Sequence, residues 1–242
     1  MRVAVISDIH ANLHALNAVL PAIGDERPDA IWCLGDLVGY GPRPNECTTT
    51  VARSAKICLV GNHDLGVIGR LSLDDFSRDA SAAALWSREV LTDEARRYLQ
   101  ARKTSTKANR CELYHASPRD PVWEYVLSGE AAEAALRLTS SPLVLVGHSH
   151  VALAFTLADG ELEGELAPEG TEIDLSSGRW LLNPGSVGQP RDHDPRAAFL
   201  MLDFDRKRAR FHRVEYPVER TQEEIRERGL PETLAGRLAL GM

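Results

Sequence analysis

Short apolar runs that each end in a residue able to hold a metal constrain this chain more than any other feature. Asp8 and His10 follow Val3–Ile6, Asp36 follows Ile31–Leu34, and Asn62 with His63 follows Ile57–Val60. His115 comes after Leu113-Tyr114, and His148 with His150 after Leu143–Val146. One histidine behind one strand is commonly a half-buried polar residue without function. Repetition at five strand ends is different, because in an open α/β sheet the carboxyl ends of the strands converge on one crevice. Glycines accompany these residues in Gly35-Asp36, Gly61-Asn62 and Gly147-His148, where the backbone must turn sharply and pass close to whatever the crevice holds. The donors are carboxylate, imidazole and amide oxygen without thiolate, a set suited to Mn, Fe, Zn, Ni or Co. Seven of these eight donors, leaving His63 aside, exceed what one tetrahedral ion takes up, and two divalent ions sharing Asp36 use all seven.

Between the strands lie helix-like segments. Leu13, Leu16, Val19, Leu20 and Ile23 recur at helical spacing, a second segment opens at Pro44, residues 73–102 are helical in pattern with a start at Thr92, and another helix surrounds Glu130–Leu138. Strand, helix, strand predicts right-handed crossovers and parallel pairing in this half. After Val151 the texture changes to short runs broken at Asp159-Gly160 and Ser177-Gly178, which predicts antiparallel hairpins. No linker or low-complexity stretch divides the chain. The expectation is therefore a single domain over 1–242 of α/β (α+β) class, a four-layer αββα sandwich of two mixed β-sheets flanked by helices. It carries a helical insertion near 72–102 and a helical tail over 219–242, where Ile225, Leu230, Leu234 and Leu238 form an apolar stripe. Such a stripe covers its own core more often than it forms a dimer interface, so monomer and homodimer both stay open.

Composition then removes several functions. With 28 Lys+Arg against 35 Asp+Glu, the formal net charge of −7 disfavours a protein that tracks a nucleic-acid backbone or coats an anionic membrane. Aromatic residues, 6% of the chain, are few for stacking a long single strand. The N-terminus reaches Ser7 and Asp8 too soon for a signal peptide, no apolar run approaches a membrane span, and the four cysteines include no CxxC pair. A cytoplasmic protein with buried, reduced thiols at Cys33 and Cys58 is expected.

The series Asp8-Ile9-His10, Gly35-Asp36, Gly61-Asn62-His63-Asp64, His115 and Gly147-His148-Ser149-His150 resembles, in order and spacing, the calcineurin-like metallophosphoesterase superfamily, over residues 3 to about 200. That resemblance implies a two-sheet sandwich. It also implies a first metal on Asp8, His10 and His150, a second on Asn62, His115 and His148, and Asp36 bridging both. A metal-bridging hydroxide would attack phosphorus directly, with His63 beside the substrate as acid or phosphate stabiliser. Two divalent ions outweigh two carboxylates and a hydroxide, which supplies the local positive charge that the acidic chain lacks. Asp64 is expected to hold the His63 imidazole, or to serve the start of the following helix, or both. Asn12 suits a helix N-cap better than a substrate contact.

In the protein Ser/Thr phosphatases and the symmetrical dinucleoside tetraphosphatases of this superfamily, arginines precede the final Gly of the second motif and the asparagine motif. Tyr40 and Val60 stand at those places here. The chain is more similar to the small prokaryotic phosphodiesterase-like members, for which Arg43 or Arg191 could compensate. Arg191 lies in the turn-rich segment Asn183–Arg191, which either returns to the crevice or is a plain turn. A phosphodiesterase acting on a small phosphoester, with nucleotides among the candidates, is the first expectation. A phosphomonoesterase or a dinucleoside polyphosphate hydrolase is the second. A non-catalytic scaffold on the same fold is the third, and the retained ligands speak against it.

Overall fold

The computed structural model describes residues 1–242. Strands β1 (Arg2–Ile6), β2 (Ala30–Cys33) and β3 (Ala55–Cys58) alternate with helices α1 (Leu13–Asp25) and α2 (Pro44–Ser54), and the three strands pair in parallel. After α3 (Asn62–Val67), α4 (Arg78–Val90) and α5 (Asp93–Gln100) come β4 (Ser105–Ala108), β5 (Cys111–Tyr114), α6 (Gly129–Arg137) and β6 (Leu143–Leu145), with β5 and β6 parallel. The later half is antiparallel in its hairpins: β7 (Ala152–Ala158) with β8 (Glu161–Leu166), and β11 (Ala197–Asp203) with β12 (Arg208–Val214). Short β9 (Glu172–Asp174) edges β12, and β10 (Arg179–Pro184) lies parallel to β6 and antiparallel to β7.

Two six-stranded mixed sheets result, ordered β3-β2-β1-β11-β12-β9 and β4-β5-β6-β10-β7-β8. Alternation along β1 shows how they stack. Val3 and Val5 enter a buried cluster shared with Leu113, Leu145 and Leu182 of the other sheet, whereas Ala4 and Ile6 pack outward against Leu16, Val19 and Ile23 of α1. On the far side, Val144, Phe155 and Leu181 pack against Ala132, Ala135 and Leu136 of α6. Both faces of the central strands are covered, which is why they read as unbroken apolar runs. The architecture is the helix–sheet–sheet–helix sandwich that the pattern predicted.

Three local differences have physical causes. Ser105–Ala108 lacks an apolar run, yet it pairs along β5 as a half-buried edge strand where little side-chain burial is needed. Strand β3 stops at Cys58 because Val60 turns its amide to the Lys103 carbonyl, and the helix α3 begins inside the asparagine motif itself. The helical stretch expected from residue 73 starts at Arg78, after a run of turns capped by Ser77, and breaks at Leu91 before the Thr92 cap. The tail forms α7 (Val218–Glu227), α8 (Glu232–Gly236) and a 3₁₀ turn over Arg237–Leu240. Ile225, Leu230, Leu234 and Leu238 pack with Ala83 of α4 and the flank of Tyr40, so the tail covers its own molecule. No helix is long and apolar enough to cross a membrane. All four cysteines are free and buried.

Candidate metal centre

Backbone strain marks the place where the strand ends meet. Asp8, His10, Asp36, His148 and His150 all adopt positive φ, between 48° and 63°, a region that costs a non-glycine residue about 1–2 kcal/mol. The loops hold one another in place. Asp8 N–H donates to Gly35 O at 3.0 Å, His10 N–H to Asp36 O at 2.9 Å, and Gly147 N–H to His115 O at 2.7 Å. The Asn183–Arg191 segment returns to the crevice and clamps the same loops: Asn183 Nδ2 donates to Gly147 O and Ser149 Oγ, and Ser186 Oγ donates to Asp8 O. Two glycines are sterically required. A Cβ on Gly61 would lie 2.2 Å from Asp36 Oδ1 and 2.3 Å from His115 Cε1, and one on Gly147 would lie 2.1 Å from Ser7 Oγ.

This scaffold brings Asp8, His10, Asp36, Asn62, His63, His115, His148 and His150 into one buried cluster. Ligand atoms of Asp8, His10 and His150 lie within 4.8 Å of one another, as do those of Asp36, His115 and His148, and those of His10, Asp36 and His63. Asn62 Oδ1 adds to the second group at 3.3 Å from His115 Nε2. Asp36 therefore stands between two donor groups.

The hydrogen bonds decide which atoms face inward. A carbonyl oxygen only accepts, so a ring nitrogen bonded to one carries the proton. His10 Nδ1–H donates to Val38 O at 3.2 Å, His115 Nδ1–H to Leu34 O at 3.0 Å, and His150 Nδ1–H to Gln189 O at 2.6 Å. Each of these rings presents a bare Nε2 to the centre. His148 is turned the other way, its Nε2–H donating to Trp123 O at 3.2 Å, which leaves Nδ1 as its inward atom. Carbonyl acceptors of this kind fix the tautomer and ring orientation of metal-binding histidines. Burial holds His10 well below the usual imidazole range, and lowers His148 to about 3 and His150 to about 4, which favours the neutral form of these three rings. Neutral imidazole is the ligand form.

The carboxylates are split in the same manner. Asp8 Oδ2 accepts from His148 N–H and Asp36 Oδ1 from His63 N–H, each at 3.0 Å, while Asp8 Oδ1 and Asp36 Oδ2 are buried without a protein partner. Those free oxygens lie 3.4 Å from His150 Nε2 and 3.5 Å from His115 Nε2 respectively. Burial alone would raise Asp8, but His150 draws it below the carboxylate range; burial and the Asp8 charge push Asp36 upward. His10 Nε2 and His150 Nε2, two bare acceptors in the neutral rings, face each other at 3.0 Å. Lone pairs this close, beside two unpartnered carboxylate oxygens, fit divalent cations bound among them.

The remaining expected residues are placed as follows. His63 has Nδ1 packed on Gly39 without a partner, and its ring lies 4.3 Å from that of Tyr40 and 5.0 Å from that of Phe76. Asp64 does not hold that imidazole. Its carboxylate accepts from Leu37, Val38 and Gly61 N–H, which pins the loop after β2 to the start of α3 and leaves no oxygen for the ring. Burial and Asp36 push the Asp64 carboxyl up to about 8, against the pull of the Gly61 and Val38 amides. Asn12 caps α1 through Ala15 N–H and ties the cap to Gly188 O and Thr221 Oγ1, so it is structural. Arg43 is not brought to the cluster: its guanidinium donates to Glu46 and to Glu224 of α7, the helix that packs against α1. Arg191 is brought there, with Nη2 3.2 Å from the Tyr40 hydroxyl.

Several residues at the rim had no sequence signal. Tyr125 stacks on His148 at 4.2 Å, Phe76 meets Trp123 at 5.3 Å, and Arg237 of the tail lies 4.4 Å over Tyr40. Each sits outside the strand-end pattern, in loops or in the tail, where no periodicity aims a side chain.

The comparisons with known proteins agree with this geometry. The domain profile of the calcineurin-like phosphoesterase superfamily matches residues 1–207. An uncharacterized protein of Methanocaldococcus jannaschii is 38% identical over 245 residues, covering 99% of this chain and 98% of that protein. The crystal structure of a metallophosphoesterase from Sphaerobacter thermophilus superposes with a TM-score of 0.92 at 44% identity, covering 100% of this chain and 99% of the other. A hypothetical protein of Pyrococcus horikoshii shares the fold, with a TM-score of 0.79 at 22% identity over 100% of this chain and 98% of its own. With its buried Asp/His cluster at the ends of both sheets, the chain belongs to the calcineurin-like phosphoesterase superfamily.

Proposed function

We propose that the protein is a phosphoester hydrolase dependent on two divalent metal ions, with phosphodiesters of small molecules as its preferred substrates. One observation carries this reading: the bare inward nitrogens of His10, His115, His148 and His150 surround Asp8 Oδ1 and Asp36 Oδ2, two buried carboxylate oxygens without a partner. Asp8, His10 and His150 would hold one ion, Asn62, His115 and His148 the other, and Asp36 both. When bound, the ions supply Lewis-acid charge at the phosphoryl oxygens and make water nucleophilic near neutral pH.

The chain's own residues do the rest. Backbone amides of His148 and His63 hold the carboxylates, so the donor set is oriented before substrate arrives. No protein nucleophile is required, and the four buried cysteines supply none. His63, whose imidazole lies between Tyr40 and Phe76, would give a proton to the leaving oxygen or stabilise phosphoryl charge. The diester preference is supported by Tyr40 and Val60, which stand where the superfamily's Ser/Thr phosphatases carry arginine. Protein stripped by chelation and reloaded with Mn, Ni or Zn is expected to hydrolyse bis-p-nitrophenyl phosphate faster than p-nitrophenyl phosphate. Equal rates in stripped and reloaded protein overturn the metal dependence, and the reverse substrate order overturns the diester preference.

A further inference from the structure

Several guanidiniums of the molecule are neutralised by carboxylates. Arg43 donates to Glu224 at 2.7 Å, Arg213 pairs with Asp192, and Arg196 donates to Asp194 at 2.7 Å. Arg88 and Arg179 form no ion pair but donate to backbone carbonyls, Gly66 O and Leu136 O among them, whereas the guanidiniums of Arg191 and Arg237 have no carbonyl partner. Neither forms an ion pair with any carboxylate of the chain, although both lie against one ring, Tyr40, with Cζ atoms 5.9 Å and 4.4 Å from its centroid. Arg237 buries Nε and Nη2 without any hydrogen-bond partner. Burial disfavours its charge, and the Arg191 guanidinium pushes the same way. Tyr40 in turn touches the metal cluster, 4.5 Å from the His10 ring and 4.3 Å from that of His63.

Two unneutralised guanidiniums on one ring are costly, and the cost falls when an anion joins them. Their planar N–H forks suit phosphoryl oxygens, which accept two bonds at once. Arg191 stands beside the cluster, since its backbone N–H donates to His150 O at 3.2 Å, while Arg237 reaches the same Tyr40 ring from the tail. We propose that Arg237, Arg191 and Tyr40 form an anion subsite for a second phosphoryl group, so that the substrate class is a phosphoester with two adjacent phosphoryl groups. The scissile group lies at the Asp/His cluster with Arg191, and its neighbour at Arg237. This rests on reading the cluster as the hydrolytic centre. It also gives the C-terminal tail a role in specificity, because Arg237 reaches Tyr40 only when Leu234 and Leu238 are packed beside α4.

The test uses the full-length, metal-loaded protein at a constant free concentration of the same metal. Binding of inorganic phosphate and of non-hydrolysable methylenediphosphonate is measured by calorimetry. Wild type is expected to prefer the diphosphonate. Arg237→Gln is expected to weaken the diphosphonate about tenfold and phosphate by a smaller factor, and Arg237→Lys to recover part of the loss. Equal weakening of both probes, or of neither, overturns the subsite. Where Arg237→Gln does not fold, Arg237→Lys answers alone, and an unchanged preference in that variant overturns it. Arg43→Ala, which removes a guanidinium outside the site, is expected to keep the preference. Failure to hydrolyse any phosphoester, with the Arg237-dependent preference intact, overturns the hydrolase reading and not the subsite. Hydrolysis without the preference does the opposite.

Discussion

Two regions of this molecule are both dense in titratable side chains and differ in what matters for chemistry. Across the outer rim of β12, Arg208 and Arg210 face Glu172 and Arg206 faces Asp203, with long, largely exposed side chains in a shallow depression. Each charge has a partner and water. At the strand ends, Asp8, Asp36 and the imidazoles are buried, strained in backbone and short of partners. Charge density is therefore a poor guide to a site, because exposed pairs contribute little and cost little. Buried polar atoms that the protein orients but leaves unsatisfied are informative, since each one persists at a cost.

The comparison is broken most directly at Asp36. Asp36→Ala is expected to abolish hydrolysis of bis-p-nitrophenyl phosphate, with kcat/KM down by more than about a thousandfold and metal content reduced. Retained metal and activity would place the centre elsewhere. His63→Ala is expected to lower kcat about a hundredfold or more while about two metals per chain remain, measured by kinetics and elemental analysis side by side. Loss of metal in that variant makes His63 a ligand instead. Gly61→Ala forces a methyl against Asp36 and His115, and an overpacking cost of about 1–3 kcal/mol should appear in denaturant unfolding together with weaker metal binding.

Smaller effects sharpen the contrast from the other side. The half-buried Arg43–Glu224 pair holds the glutamate below its ordinary range, first through the Arg43 hydrogen bond. Because the folded-state value is depressed, the pair's contribution is present above pH 4.5 and is lost as pH falls through the folded value. Glu224→Gln is thus expected to cost about 1 kcal/mol at neutral pH. The gap from wild type should close in acid-unfolding curves. Arg208→Ala at the outer rim should change stability by less than about 0.5 kcal/mol and activity not at all. A large kinetic effect there would erase the distinction between the two regions.

Much of this was readable from the chain because the candidate ligands sit directly behind the strands that carry them. Asp8, His10, Asp36, Asn62, His115, His148 and His150 needed only an apolar run, a turn and the rule that parallel strands share a carboxyl end. The sheets were readable for the same reason, their central strands being apolar on both faces. Edge strand β4 was not, since Ser105–Ala108 is stabilised by the ladder to β5 and not by its own side chains. Of the two roles open to Asp64, adjacency to His63 suggests contact, but only the role at the start of α3 is taken up, because that turn swings the carboxylate to the amides of Gly61, Leu37 and Val38. Arg43 was assigned by charge type alone, and Glu224, far along the chain, claims it.

By itself, then, the sequence determined the order of strands and helices, the donor types and their place at the strand ends, because those depend on local periodicity and on which residue follows which. Tertiary structure alone decided which nitrogen of each ring faces inward, which arginine reaches the centre and that the tail closes over Tyr40. These choices depend on backbone carbonyls and side chains far away in sequence, such as Gln189 O for His150 and Trp123 O for His148, and only the packed sheets bring them within hydrogen-bonding distance.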